Sequence, residues 1–246
     1  MQFFGMTNIG MKRQVNQDSF LIREYEEGLL AVVCDGMGGA SGGEEASSTA
    51  VAAFSGYTDI DFAPVKPLEN SEKAEIRETL LSAARAANTA VYAASKGKAE
   101  LNGMGTTLVS AYVKDKRVYA VNVGDSRMYV VKDGEIKQIT HDHSYVQYLV
   151  DIGKITADEA KNSSNKNIIT RAIGTESEVE ADFFTVDMDS GYVVLCTDGL
   201  TNHITENDII NCVTNAETPE LACAELVEKA NLGGGSDNIT VIVIEV

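Results

Sequence analysis

The chain has 246 residues, 44% of them hydrophobic and 23% charged. That is enough for a sizeable buried core, and it excludes wholesale disorder, a collagen-like repeat and a coiled coil. Acidic residues number 37 against 20 basic ones, a formal net charge of −17, which argues against nucleic acid or an anionic membrane surface as partner.

No apolar run approaches the ~20 residues that span a bilayer. The opening MQFFGMTNIGMKRQ lacks the basic-then-apolar pattern of a signal peptide. Cys34, Cys196, Cys212 and Cys223 form no C-x-x-C pair. They read as free thiols in a reducing cytosol.

In chain order, residues 29–34 (LLAVVC) are the first apolar, β-branched run that predicts a strand. A helix is expected over 44–54, a loop over 58–70, and a long helix over 71–95 with Ser71 suited to its cap. Strands follow at 106–113, 118–123 and 127–131. The tight connection Lys114-Asp115-Lys116 joins the first two, and Asp133-Gly134 is a hairpin-type turn. Such spacing predicts an antiparallel meander. Later strands are expected at 192–196 and 239–244, and helices at 206–214 and 219–231. Helix pairs on either side of the strands predict an α+β layered domain, antiparallel sheets covered by helices. Residues 141–166 hold an amphipathic piece (YVQYLVDIG), a short helical piece (TADEA) and a polar run (KNSSNKN). They read either as an excursion from the sheets, a flap, or as an ordinary surface connection.

The chemistry is written at strand ends. Residues 29–34 run into Asp35-Gly36, and 192–196 run through Thr197 into Asp198-Gly199. Residues 118–123 end in Gly124-Asp125-Ser126-Arg127, and Gly235-Ser236-Asp237-Asn238 leads into the last strand. A rigid strand end aims a carboxylate, and a neighbouring glycine lets backbone or ligand come close. One Asp-Gly is an ordinary turn, and Asp133-Gly134 is read as one. Four such aspartates, far apart in sequence, predict a hard all-oxygen site suited to Mg²⁺ or Mn²⁺ and not to Zn²⁺. The glycine-rich segment 36–43 fits neither phosphate-loop pattern, and Asp187-x-Asp189-x-Gly191 lacks the rest of a calcium loop. Cys34 beside Asp35 is a poor nucleophile, because a carboxylate disfavours thiolate. Arg13, in the cluster RQVNQDS, is the natural fork for two phosphate oxygens if it lies beside that site.

These residues resemble a known family. Arg13-x-x-Asn16-Gln17-Asp18, Val33-Cys34-Asp35-Gly36-Met37-Gly38-Gly39, Gly105-Thr106-Thr107 and Val123-Gly124-Asp125-Ser126-Arg127 match motifs of the metal-dependent 2C-type (PP2C, PPM) serine/threonine protein phosphatases. So do Thr140-His141-Asp142-His143-Ser144, Thr170-Arg171-Ala172-Ile173-Gly174, Thr197-Asp198-Gly199-Leu200 and Gly234-Gly235-Ser236-Asp237-Asn238-Ile239-Thr240. They stand in family order from residue 13 to 240, and the compact bacterial members are most similar.

The resemblance implies a four-layer α-β-β-α sandwich, two antiparallel sheets flanked by helix pairs. The chain as a whole reads as one domain over 1–246 with a flap subdomain at about 141–170, in the cytoplasm, with a monomer favoured. The resemblance also implies two Mn²⁺ or Mg²⁺ ions and a third, weaker one. By motif match, Asp35 bridges two ions and the Gly36 carbonyl binds one of them. Asp198 and Asp237 complete the other, and Asp125 with Asp198 holds the third. Arg13 binds the substrate phosphate, and Asp18 and Gln17 act on metal-bound water from behind. The implied reaction is direct attack of a metal-bridging hydroxide on phosphoserine or phosphothreonine, with no phosphoenzyme. The implied partners are phosphorylated proteins and a bacterial Ser/Thr kinase whose action is reversed.

The chain departs from many family members in two places. Met37 stands where they carry a histidine proposed as general acid, which leaves metal-bound water, or secondarily His143, as proton source. Gln17 stands where they carry glutamate. Two alternatives are a binding module that keeps the fold without turnover, and a hydrolase of small phosphoesters.

Overall fold

Residues 29, 31 and 33 of the first apolar run face one buried layer, and residues 30, 32 and 34 face another. A strand buried on both sides needs a sheet in front of it or helices behind it. The structure, a computed structural model, describes residues 1–62 and 72–246. Its elements run β1 (Gln2–Asn8), β2 (Asp18–Tyr25), β3 (Gly28–Met37), α1 (Gly39–Asp61) and α2 (Glu72–Gly97). Next come β4 (Gly105–Thr106), β5 (Leu108–Lys114), β6 (Arg117–Val123), β7 (Arg127–Lys132) and β8 (Glu135–Gln138). Then follow α3 (Tyr145–Asp151), α4 (Ala157–Lys161), β9 (Asp182–Asp187), β10 (Tyr192–Cys196), α5 (Asp198–Thr201), α6 (Glu206–Asn215), α7 (Pro219–Leu232) and β11 (Ile239–Glu245). The Ser71 cap lies outside the described residues, as does most of the loop expected over 58–70. Its first residues, as far as Asp61, continue α1 instead.

Two antiparallel sheets result, one in the order β1-β11-β10-β7-β8 and the other β2-β3-β5-β6-β9, with β4 pairing the end of β3. Three cores fill the three spaces between four layers. Leu29, Ala31, Val33, Val193, Leu195 and Ile242 meet between the sheets. Leu30, Val32 and Cys34 pack under α1 and α2, against Phe54, Leu80 and Ala84. Val194, Cys196, Val241 and Val243 pack under α6 and α7. Each fully buried aliphatic side chain contributes about 1.5–3 kcal/mol, so the sandwich is held mainly by these layers. All four cysteines are buried free thiols. Among the described residues no helix is long and apolar enough to cross a membrane.

The expected meander is corrected in one respect. β5–β6 and β7–β8 are hairpins, closed at Asp115-Lys116 and Asp133-Gly134 by residues with positive φ, as tight hairpins require. They belong to different sheets. The chain crosses between the sheets at Gly124-Asp125-Ser126, which places Asp125 at the end of the sandwich where β3 and β10 also finish. The expected strand over 106–113 is likewise split, because Thr107 leaves the ladder between β4 and β5.

Residues 141–170 form an excursion closed at its base. Backbone N–H of Tyr145 donates to the Ile168 carbonyl (2.8 Å) and that of Thr170 to the His143 carbonyl (2.8 Å). The expected TADEA piece is α4, started by a reciprocal cap between Thr156 and Glu159.

Candidate metal centre

Asp35, Asp125, Asp198 and Asp237 line one cleft of about 530 Å³, together with Arg13. Four different segments bring them there. Asp35 lies inside β3 rather than after it, opposite Asp18 of β2. Asp125 sits at the crossover between sheets, Asp198 opens α5, and Asp237 precedes β11. These five are the ionisable groups in the described lining, so carboxylates outnumber cations four to one.

Backbone and hydroxyl groups hold the carboxylates in place. The Asp35 N–H donates to Thr107 Oγ1 (2.9 Å), and Thr106 Oγ1 donates to the Asp35 carbonyl (2.8 Å). Thr107 Oγ1 also hydrogen-bonds Ser126 Oγ (2.7 Å), tying Asp35 to the crossover that carries Asp125. Asn238 is a clamp. Its Nδ2 donates to the carbonyls of Ile9 and Val15, and its Oδ1 accepts from the Gln17 N–H. This fastens the 9–17 loop over Asp237, where Arg13 Nη2 donates to Asp237 Oδ2 at 2.7 Å. Gln17 Nε2 donates to the Gly39 carbonyl, at the start of α1.

Two glycines are demanded by close approach. A Cβ on Gly36 would overlap the Gly43 carbonyl, and one on Gly199 would overlap the Asn238 carbonyl. Gly199→Ala should therefore cost about 3 kcal/mol and lower the melting temperature by about 6–12 °C. A thermal melt checks it.

The carboxylates are held against their own chemistry. Burial, and then the neighbouring negative charges, push Asp125 up to about 8 and Asp35 well above the usual carboxylate range. Asp198 is raised by burial and by Asp237. Asp18, buried behind Asp35, is pushed to about 7 although Thr240 and Thr197 hydroxyls donate to its Oδ2 at 2.6 and 3.0 Å. Asp18 Oδ1 and Asp198 Oδ1 are buried and have no hydrogen-bond partner among the described residues. Orphaned carboxylate oxygens in a nest of like charge call for a cation. The described lining contains no histidine or cysteine, so the donor set is all oxygen and fits Mg²⁺ or Mn²⁺. The carboxylates share the cleft without closing on one point: among the described residues no three acid, histidine or cysteine side chains converge as a ready-made ion cage. One Asp237 oxygen is held by Arg13 instead.

Comparison with known proteins decides the family. The family model described as protein phosphatase 2C matches residues 10–226. The serine/threonine phosphatase stp of Listeria monocytogenes is 36% identical over 241 residues, covering 97% of this chain and 93% of that one. The crystal structure of the serine/threonine phosphatase Stp1 from Staphylococcus aureus superposes with a TM-score of 0.89 at 33% identity, covering 99% of this chain and 94% of that one. The catalytic domain of the serine/threonine protein phosphatase PstP, crystallised with two manganese ions, gives a TM-score of 0.81 at 33% identity, covering 98% and 96%. The chain belongs to the protein phosphatase 2C family. Its class is that of the phosphoprotein phosphatases, and its sandwich is the family's fold.

Within this 2C-family chain the structure separates the expected residues. Arg13, Gln17, Asp35, Gly36, Asp125, Asp198 and Asp237 all line the cleft, as does Met37. Asp18 lies behind it. His143 is corrected as a proton source. It is buried, its Nδ1 accepts from the Gly124 N–H (3.0 Å), and its Nε2 lies 3.2 Å from Asp182 and 3.0 Å from Arg171 Nη1. Both ring nitrogens are committed to holding the crossover. His203 likewise serves structure, meeting Gly233 and Ser236. Asp187 and Asp189 pair with Arg117 and Lys132, as ordinary surface acids do. Sequence reasoning assigned no role to Thr107, Ser126 and Asn238, although they sit in the quoted motifs. Asn202, which donates to Asp198 Oδ2 at 3.0 Å, carried no signal beyond standing one helical turn after Asp198.

Proposed function

We propose that the protein is a Mn²⁺- or Mg²⁺-dependent phosphatase of phosphoserine and phosphothreonine in proteins. The observation that carries this reading is the meeting of Asp35, Asp125, Asp198 and Asp237 with Arg13 on one cleft in a 2C-family chain. Asp35 and the Gly36 carbonyl would hold one ion, and Asp35, Asp198 and Asp237 its neighbour. Asp125 with Asp198 would hold a third, weaker one. When bound, the ions supply a hydroxide at neutral pH, aimed at phosphorus, and positive charge for the phosphoryl oxygens.

The chain's own groups do the rest. Arg13, released from Asp237 once that carboxylate has another cation, offers its fork to two phosphate oxygens. Asp18, with one oxygen free and the other held by Thr197 and Thr240, accepts a proton or a hydrogen bond beside Asp35. Gln17 orients without adding charge. Met37 leaves the cleft without a protein acid at that position, so the leaving serine or threonine oxygen takes its proton from water.

Phosphorylated proteins as substrates, a bacterial Ser/Thr kinase as the opposed enzyme, a cytoplasmic site and a monomeric state complete the reading. The names of the relatives support the first of these, and the free thiols support the third. The excursion at 141–170 is the flap, whose Asn167 and Ile169 form one wall of the cleft.

The test is phosphate release from a phosphothreonine peptide by chelator-stripped protein. Turnover is expected only after Mn²⁺ or Mg²⁺ is added. Equal turnover without metal would overturn the reading. So would silence in folded protein shown calorimetrically to hold Mn²⁺.

A further inference from the structure

We propose that Asn202 is a positioning residue that couples the flap to Asp198, with Lys166 as the flap's anchor. Lys166 follows α4 and directly precedes Asn167 of the cleft wall. Its Nζ donates to Asn202 Oδ1 at 2.9 Å, and Asn202 Nδ2 donates to Asp198 Oδ2 at 3.0 Å. The Asn202 backbone N–H also donates to the Asp198 carbonyl (2.8 Å), which fixes the two residues one turn apart.

The amide is the chemistry this relay needs. An ammonium only donates and a carboxylate only accepts, so a neutral group bridging them must have one of each, correctly turned. Lys166 sets which way the Asn202 amide faces. The amide then selects which Asp198 oxygen is tied back and leaves Oδ1, buried and unpartnered among the described residues, as the free one. A direct Lys166–Asp198 pair would spend the carboxylate's charge. The asparagine passes on position and keeps the charge available. Bringing the flap wall to the cleft and orienting Asp198 thus become one event.

The inference rests on the reading of Asp198 as a metal ligand, and the experiment separates the two. Mn²⁺ is titrated calorimetrically into chelator-stripped wild type, Asn202→Ala, Lys166→Met and the double variant. Amide hydrogen exchange is followed in the same metal-free proteins, each checked by thermal melting. Asn202→Ala should weaken Mn²⁺ binding by about 10–100-fold, as loss of an outer partner of a ligand does. Lys166→Met should weaken it less, and Lys166→Arg, which keeps a donor, should recover most of the loss. The double variant should be no worse than Asn202→Ala alone, because beyond the amide Lys166 reaches Asp198 only by its charge, and removing a positive charge does not oppose a cation. Asn202→Ala and Lys166→Met should each exchange faster over residues 157–169. Wild-type affinity and exchange in Asn202→Ala, or fully additive losses, would overturn the coupling. Wild type that binds no Mn²⁺ would instead remove the metal reading, and the exchange comparison would still test the clasp by itself.

Discussion

Asp35→Asn should abolish turnover and, at the same time, raise the melting temperature of the metal-free protein. Asparagine nearly matches aspartate in volume, and the backbone bonds of residue 35 to Thr106 and Thr107 do not involve the carboxylate. What disappears is a carboxyl that burial, and then the charges of Asp18, Asp198, Asp125 and Asp237, keep from ionising at a cost to the fold. Relief of about 1–2 kcal/mol corresponds to roughly 2–8 °C in a chain of this size. Activity should fall by more than the 10–100-fold that outer-shell losses cost, because the proposed bridging ligand itself is gone. Mn²⁺ should no longer raise the melting temperature. Phosphopeptide turnover and paired melts, with and without Mn²⁺, check it. A variant as active as wild type, or less stable without metal, would sink the assignment of Asp35. The expected exchange of stability for function is what a site built from repelling carboxylates entails.

The strands that could be read from sequence and those that could not differ by position in the sheets. β3, β5, β6, β7, β10 and β11 are interior strands. Covered on both faces, they read as unbroken runs such as LLAVVC and ITVIVI. β1, β2, β8 and β9 are the four edges. QFFGMTN and DSFLIREY are mostly half-buried and mix polar with apolar residues, so neither run nor alternation stands out. Only β8 is foreshadowed, by the Asp133-Gly134 turn. The helix α1 starts at Gly39, five residues before its expected start at 44, because its first turns carry glycines, a poor helical signal, of which Gly43 lies against Gln17 and the Gly36 carbonyl where a Cβ would not fit.

The carboxylates were legible for a related reason: strand ends bounded by glycine are local features. Their supports were not. Thr107 reaches Ser126, Asn238 reaches Ile9 and Val15, and Asn202 reaches Lys166, all through contacts that only the fold creates. His143 shows the converse error. A histidine near the motifs reads as a catalytic group until its two nitrogens are found committed to Gly124 and to the Asp182–Arg171 pair.

Without metal, the protein should lose stability as pH rises from about 6.5 to 8, and Mn²⁺ should cancel that loss. The sign follows from the raised carboxylates. An aspartate ionises near pH 4 in the unfolded chain, while Asp18 and Asp125 are held to about 7 and about 8 in the fold, and burial raises Asp35 well above its ordinary range. Their stabilising share is complete below the unfolded value and is lost as pH climbs through the folded ones. His143 works in the opposite sense. Burial lowers it, so the fold gains from its neutrality only up to its ordinary value near 6.5. The acids lowered by partners, Asp151, Asp182 and Asp208 among them, act below their ordinary range near 4. The window from 6.5 to 8 therefore reports the cleft. A cation that binds the ionised carboxylates releases their protons. At about one hundred times its dissociation constant it stabilises by about 2.7 kcal/mol, or roughly 5–11 °C here. The Mn²⁺-induced rise in melting temperature should thus be larger at pH 8 than at pH 6.5 at a fixed Mn²⁺ concentration. Binding heats in two buffers of different ionisation enthalpy should show proton release at the lower pH. A melting temperature that is flat across the window without metal, together with a Mn²⁺ effect independent of pH, would mean that the four carboxylates do not share their charge in one site.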